Sequence, residues 1–117
     1  RQLIAKRYDQ NFYDFPMDIP VISKNCFSAL HLYSIQLHDA DIRRRVFDDL
    51  RSHGIGVNIH YIPVYRQPYY QNIGFKISDF PNAESFYSRA ISLPMYPTMT
   101  DNQQDKVIQT LHTALQL

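Results

Sequence analysis

The sequence predicts an α+β domain, a small sheet of about three strands with helices packed on it. Three observations predict it. Short runs of apolar and aromatic residues alternate with stretches whose apolar residues recur at three- and four-residue spacing. The chain has 117 residues, 44% of them hydrophobic, which fits one domain with one core. Its charged residues, 20% of the total, sum to a net charge of +1. No strong field therefore draws it to nucleic acid or to a membrane surface.

Residues 1–13 carry helical spacing at Leu3, Ile4, Arg7 and Tyr8. This helix should end near Phe15-Pro16, since the residue before a proline avoids the α region. No N-cap precedes it and the chain opens on Arg1, so the start reads as the continuation of a longer polypeptide. Residues 16–27, with Pro16 and Pro20, read as irregular. Ser28–Leu37, SALHLYSIQL, reads as a strand covered on both faces, with Ala29, His31, Tyr33, Ile35 and Leu37 on one side. A helix follows from Asp39, striped by Ile42, Val46, Phe47 and Leu50 and stopped at Gly54. Its run Arg43-Arg44-Arg45 resembles a nucleic-acid patch. Acidic residues four positions away (Asp39, Asp41, Asp48, Asp49) neutralise it locally.

Gly56–Tyr61 reads as a second strand, with Val57, Ile59 and Tyr61 on one face. After an aromatic loop, Pro81 opens a short helix striped by Ala83, Phe86, Tyr87 and Ala90. Ile91–Met95 reads as a third strand, which Pro94 and Pro97 confine to an edge or an end. Thr100-Asp101-Asn102-Gln103 is a capping box for a last helix, whose apolar face is Val107, Ile108, Leu111, Ala114 and Leu115.

Several chemistries lack their residues. The one cysteine, Cys26, forms no internal disulfide. No apolar run approaches the ~20 residues of a spanning helix, and residues 1–10 lack a signal-peptide core. A reduced cytoplasm is the expected location. The five histidines (His31, His38, His53, His60 and His112) are not clustered, so no metal site is expected. No nucleophile elbow or glycine-rich phosphate loop is present. Lys6, Lys24, Lys76 and Lys106 all lie in polar or loop contexts, unlike a Schiff-base lysine.

The stretch NIHYIPVYRQPYY, residues 58–70, stands out. It holds one histidine, four tyrosines, two prolines and one arginine. Pro63 and Pro68 stiffen it, which lowers the entropy lost on ordering around a ligand. Tyrosine rings suit a sugar, a uracil-like ring or a protein surface. Asn58 and His60 alternate with apolar neighbours, so they leave the core face together. At a strand end, His60 and Tyr61 are the leading binding candidates.

At these residues the sequence resembles the DegT/DnrJ/EryC1/StrS sugar aminotransferases. The resemblance rests on four ordered blocks: SALHLYSIQL with its following helix, GIGVNIHYIPVYRQPYY, DFPNAESFY, and AISLPMYP followed by MTDNQQDKV. Together they cover residues 28–117. The string HYIPVYRQPYY is most similar to the branch that makes the 4-amino-4,6-dideoxy-N-acetyl-altrosamine nucleotide sugar on the route to pseudaminic acid. A spore-coat polysaccharide relative is equally compatible.

The resemblance implies a fold type I pyridoxal-phosphate enzyme of which this chain is the small C-terminal domain. Residues 1–15 would be the tail of an interdomain helix and residues 16–117 the small domain. The large domain, with the Schiff-base lysine and the pyridoxal phosphate, would lie outside this chain, which alone should be inactive. The parent enzyme would move an amino group, from glutamate, to a UDP-linked 4-keto-6-deoxy sugar. It would be a homodimer with sites at the subunit interface. By motif match, His60, Tyr61 and Pro63 would line the substrate cleft, with His31 and Tyr33 as a second pair. Arg66 falls at a variable position, so no sugar-phosphate role is implied for it. Two rivals remain: a ferredoxin-like RNA-binding module, which exposed tyrosines would serve, and a non-catalytic oligomerisation domain.

Overall fold

A computed structural model describes residues 1–117. Helix α1 spans Gln2–Asn11, and strands β1 (Met17–Asp18) and β2 (Tyr33–Leu37) follow. Then come α2 (Arg43–Ser52), α3 (Pro68–Asn72), α4 (Pro81–Arg89), β3 (Ala90–Leu93) and α5 (Asp101–Ala114). The sheet has the order β1-β2-β3, antiparallel throughout. In register, Tyr33 faces Leu93, Ser34 faces Ser92, Ile35 faces Ile91 and Gln36 faces Ala90.

This pairing gives the sheet two unlike sides. Tyr33, Ile35 and Leu37 alternate with Ser34 and Gln36, and only the first set is buried. Behind it pack Tyr8 of α1 and Phe12 at its C-cap, Val46 and Leu50 of α2, and Val107 and Leu111 of α5. Tyr8 stacks on Phe12 at 5.2 Å and leans on Tyr33 at 4.9 Å. The two buried phenols keep their polar tips satisfied. Tyr8 donates to the Pro94 carbonyl at 3.0 Å and Tyr33 to Asp9 Oδ1 at 2.7 Å. Burial is the first cause that pushes both phenols above the ordinary tyrosine range. Helix α1 thus shares this core.

The helix ends follow the sequence closely. Thr100 accepts from the Gln103 N–H at 3.2 Å, and Gln103 Oε1 accepts from the Thr100 N–H at 2.9 Å. That is the capping box read from the sequence. After α2, Gly54 adopts φ +74°. Its N–H donates to the Arg51 carbonyl at 3.0 Å, and the Ile55 N–H donates to the Leu50 carbonyl at 3.0 Å. These paired bonds close the helix as a Schellman motif, which favours glycine at this position.

Several expectations change. The strand at Ser28–Leu37 is only Tyr33–Leu37, because β3 offers four residues of partner and β1 two. Residues 28–32 pair with no strand, and Leu30 at φ +49° breaks the extended run. Met17–Asp18, expected to be irregular, pairs as β1. The strand at Gly56–Tyr61 reduces to a single bridge between Asn58 and Ser92. Since it runs antiparallel to β3, it lies parallel to β2 with β3 between them. β3 therefore has neighbours on both sides; it runs Ala90–Leu93, and Pro94 follows its last residue.

The helix expected from Asp39 begins at Arg43, because Asp39 Oδ1 takes the Asp41 N–H at 2.8 Å in a turn. Arg44 pairs with Asp48 at 2.7 Å and Arg45 with Asp49 at 3.6 Å. Arg43 pairs with neither acid; it lies over the Tyr87 ring at 5.7 Å. Finally, α4 buries none of its own residues. The helix lies against β2 on the sheet's polar side, with Arg89 on Gln36, and its apolar stripe stays largely open, with Phe86 39% exposed.

Candidate functional site

The front of the sheet carries Asp18, Gln36, Ser34 and Ser92, set side by side by the strand register. Two hydrogen-bonded groups form there. In one, Arg89 reaches Gln36 Oε1 at 3.2 Å and Asp18 Oδ2 at 3.5 Å, and His38 meets Asp18 at 3.1 Å. In the other, the bridge at Asn58 brings His60 over β3. His60 Nδ1 lies 2.9 Å from Ser92 Oγ, and Ser92 Oγ lies 2.7 Å from Ser34 Oγ. His60 Nε2 lies 3.2 Å from Asn58 Nδ2. Asn58 and His60 do leave the core together, as their alternation predicts.

Tyr61 sets its ring edge-on to His60 at 4.6 Å and is 73% exposed, so it does not share the buried face of Val57. The peptide bond between His60 and Tyr61 is cis. Pro63 then starts a 3₁₀ turn at Val64–Arg66. Residues 61–80 form an arm that packs on itself and on α4. The stretch read as an unbroken loop holds that turn, α3 and a second 3₁₀ turn at Ile77–Asp79. Tyr65 stacks on Phe80 at 4.2 Å, and Tyr70 meets Phe75 edge-on at 5.9 Å.

One carboxylate ties the arm down. Glu84 Oε1 accepts from the Tyr65 hydroxyl at 2.8 Å and from Arg66 Nε at 2.9 Å, while Arg66 Nη2 holds Oε2. The Arg66 guanidinium holds the Glu84 carboxyl below the usual carboxylate range. Desolvation, aided by Glu84, pushes the Tyr65 phenol up. Arg66 also lies over the Tyr87 ring at 5.3 Å. Arg66 is therefore an anchor of the arm in this chain.

The structure brings His60, Tyr61 and Pro63 together at one end of the polar face. It does not bring His31 and Tyr33 to them. Tyr33 is 1% exposed, in the core on the opposite side of the sheet, with its hydroxyl on Asp9. His31 is exposed in the irregular segment before β2. The residues that the sequence reading missed are Ser34, Ser92 and Glu84. The signal for Ser92 was a hydroxyl inside an apolar strand, AISLP, which requires a partner when buried.

The concave features lie elsewhere. The largest, about 520 Å³, includes Gly54, Gly56, Tyr96, Gln103 and Lys106 in its lining. Neither it nor any other cavity includes His60 or Tyr61. No group of three metal-ligating side chains occurs. Around the site the arm leaves Tyr61, Ile62, Val64, Tyr69 and Ile73 more than half exposed.

Comparison with known proteins adds the family. The model of the DegT/DnrJ/EryC1/StrS aminotransferase family matches residues 1–112. The chain is 38% identical to the spore coat polysaccharide biosynthesis protein SpsC of Bacillus subtilis, over 95% of this chain and 30% of that protein. It superposes on the sugar aminotransferase candidate Spr1654 of Streptococcus pneumoniae, in its PMP form, with a TM-score of 0.91 and 27% identity, covering 98% of this chain and 30% of that one. Helicobacter pylori PseC, an aminotransferase involved in pseudoaminic acid biosynthesis, shares the fold with a TM-score of 0.85 at 24% identity, over 98% of this chain and 32% of that one. The chain thus spans about 30% of the length of the curated relatives it matches.

Proposed function

The chain belongs to the DegT/DnrJ/EryC1/StrS aminotransferase family, and on that premise we propose that it is the substrate-side, C-terminal domain of a pyridoxal-phosphate-dependent sugar aminotransferase. The observation that carries the reading is the family match over residues 1–112, nearly the whole chain. Spr1654, which superposes at a TM-score of 0.90 in its PLP form, supports the cofactor. The full enzyme in this reading transfers an amino group from glutamate to a UDP-linked 4-keto-6-deoxy sugar, for a surface polysaccharide or a flagellin glycan. Resemblance to a spore-coat polysaccharide protein supports the product class.

The residues of this chain do not fit a pyridoxal phosphate site. Lys6, Lys24, Lys76 and Lys106 are all exposed, whereas a Schiff-base lysine must be desolvated or set beside another cation. The cofactor in this reading is held by a large domain that makes up the rest of the relatives' length. Residues 1–15 lead toward that domain and residues 16–117 close its cleft; the chain alone is inactive. His60, Tyr61 and Pro63 form the part of the cleft wall that this chain supplies. A tyrosine face and an imidazole suit a sugar or a uracil ring.

The enzyme in this reading is a cytoplasmic homodimer, and the exposed arm serves the partner subunit's site. No helix of the chain is long and apolar enough to cross a membrane. The test is an absorbance spectrum of the full-length protein with pyridoxal phosphate, before and after glutamate. A cofactor band that shifts on adding glutamate supports the reading. An unchanged spectrum overturns it and leaves the chain a binding or oligomerisation module.

A further inference from the structure

Ser92 and Gln104 are the two buried polar residues of the chain, at 5% and 2% exposure. Gln104 is explained by the Ile4 carbonyl, which its amide reaches at 2.7 Å. Ser92 is explained only by its place between Ser34 and His60. A hydroxyl kept in a buried strand without a partner carries a desolvation penalty, so the chain of contacts through it is worth reading atom by atom.

The direction of each hydrogen bond to His60 follows from one end. Asn58 Oδ1 accepts the Ile59 N–H at 2.8 Å, which fixes the amide with its nitrogen toward His60. Asn58 Nδ2 therefore donates to His60 Nε2 across 3.2 Å. With Nε2 accepting, the ring proton sits on Nδ1 and is donated to Ser92 Oγ at 2.9 Å. Ser92 and Ser34 share a further hydrogen bond at 2.7 Å, in which either hydroxyl can donate. With the Asn58 amide so fixed, no other ring tautomer gives each contact of His60 one donor and one acceptor.

We propose that Ser92, backed by Ser34 and completed by Asn58, is a positioning residue that fixes His60 as its Nδ1–H tautomer, so that Nε2 presents a lone pair to a hydrogen-bond donor on the sugar nucleotide. The group received is a sugar hydroxyl or an amide N–H; the lone pair repels the oxygens of a phosphate. Asn58, exposed and uncharged, holds Nε2 in the free protein and yields to that donor. The identity of the ligand rests on the aminotransferase reading, whereas the tautomer does not.

The first arm of the test is a long-range proton–nitrogen correlation spectrum of the protein labelled with nitrogen-15 histidine. His60→Gln assigns the ring. The expected wild-type pattern is a protonated Nδ1 and a bare Nε2. Ser92→Ala should return His60 to the Nε2–H form that free imidazole prefers, and Ser92→Thr should keep Nδ1–H. Asn58→Asp lies outside the core and puts an acceptor opposite Nε2, so it should move the proton to Nε2. A wild-type Nε2–H ring, or an Nδ1–H ring indifferent to both Ser92→Ala and Asn58→Asp, overturns the proposal.

The second arm uses the full-length enzyme. Ser92→Ala should raise KM for the nucleotide sugar about tenfold while kcat changes less than about twofold, and Ser92→Thr should restore it. An unchanged KM alongside a lost tautomer overturns the ligand half of the proposal. A protein whose cofactor spectrum ignores glutamate overturns the aminotransferase reading instead, and the tautomer result still stands.

Discussion

The two sides of the sheet are built from opposite materials. Behind it, Tyr8, Phe12, Ile35, Leu37, Leu50 and Leu111 are at most 1% exposed. In front lie serines, an asparagine, a histidine and the Arg89–Asp18 pair, beside an arm that one carboxylate, Glu84, holds in place. Apolar burial is non-directional and strong in sum; hydrogen bonds are directional and modest in net worth. The rear face therefore carries the stability, and the front face carries orientation. Each can be broken without the other.

The largest effect is expected behind the sheet. Phe12→Ala removes a ring packed between Tyr8, Phe15 and Tyr33 and should cost about 3–5 kcal/mol in denaturant unfolding. A cost below about 1 kcal/mol would break the comparison, since it would mean the core repacks freely. Alkali probes the same side. Tyr8 and Tyr33 titrate above the ordinary tyrosine value once folded. Their contribution is full below the unfolded tyrosine pKa, about 10, and is lost as pH rises through the raised folded values. Circular dichroism should show cooperative unfolding in strong alkali, and Tyr33→Phe should move its midpoint upward.

In front, His60→Ala should leave the melting temperature near that of the wild type and lower kcat/KM for the nucleotide sugar about tenfold in the full-length enzyme. Normal kinetics would point to the oligomerisation alternative. Thr100→Ala belongs to neither side; loss of its cap should cost about 0.5–2 kcal/mol by thermal unfolding.

Glu84→Gln should have the smallest global effect and a local one. Amide exchange should quicken in residues 64–80 while the core stays protected. In the wild type the anchor contributes above the unfolded carboxylate pKa. It is lost as pH falls through the depressed folded value of Glu84, so exchange in the arm should quicken only below the usual carboxylate range.

The rear face was the more legible from sequence. The capping box at Thr100, the stop at Gly54 and the stripe of α5 are local patterns, and local rules read them. The strand at residues 28–32 misled because apolar residues alone do not make a strand; a neighbour of matching length must lie alongside. His31 shares the parity of Tyr33, and so was grouped with it, but the pairing starts two residues later.

At the site, the alternation of Asn58 and His60 was readable because it spans three residues. The contact between Ser34 and Ser92 joins positions 58 apart in the chain, and depends on a register that no local pattern encodes. The stripe of α4 was legible as a stripe, yet the helix lies against a polar sheet face and buries none of its own residues. Glu84 escaped notice because an acid in the first turn of a helix needs no further reason to be there.

The joining of α1 to α5 has a consequence for how the domain is made. Arg7 pairs with Asp105 at 2.5 Å, and Gln104 reaches the Ile4 carbonyl at 2.7 Å, contacts that span 98 and 100 positions of the chain. During synthesis α1 leaves the ribosome well ahead of α5. Until α5 follows, the side of α1 that it covers stays open. A ribosome that stalls before residue 101 releases a chain in which Arg7 and the Ile4 carbonyl lack their α5 partners, a natural substrate for proteolysis.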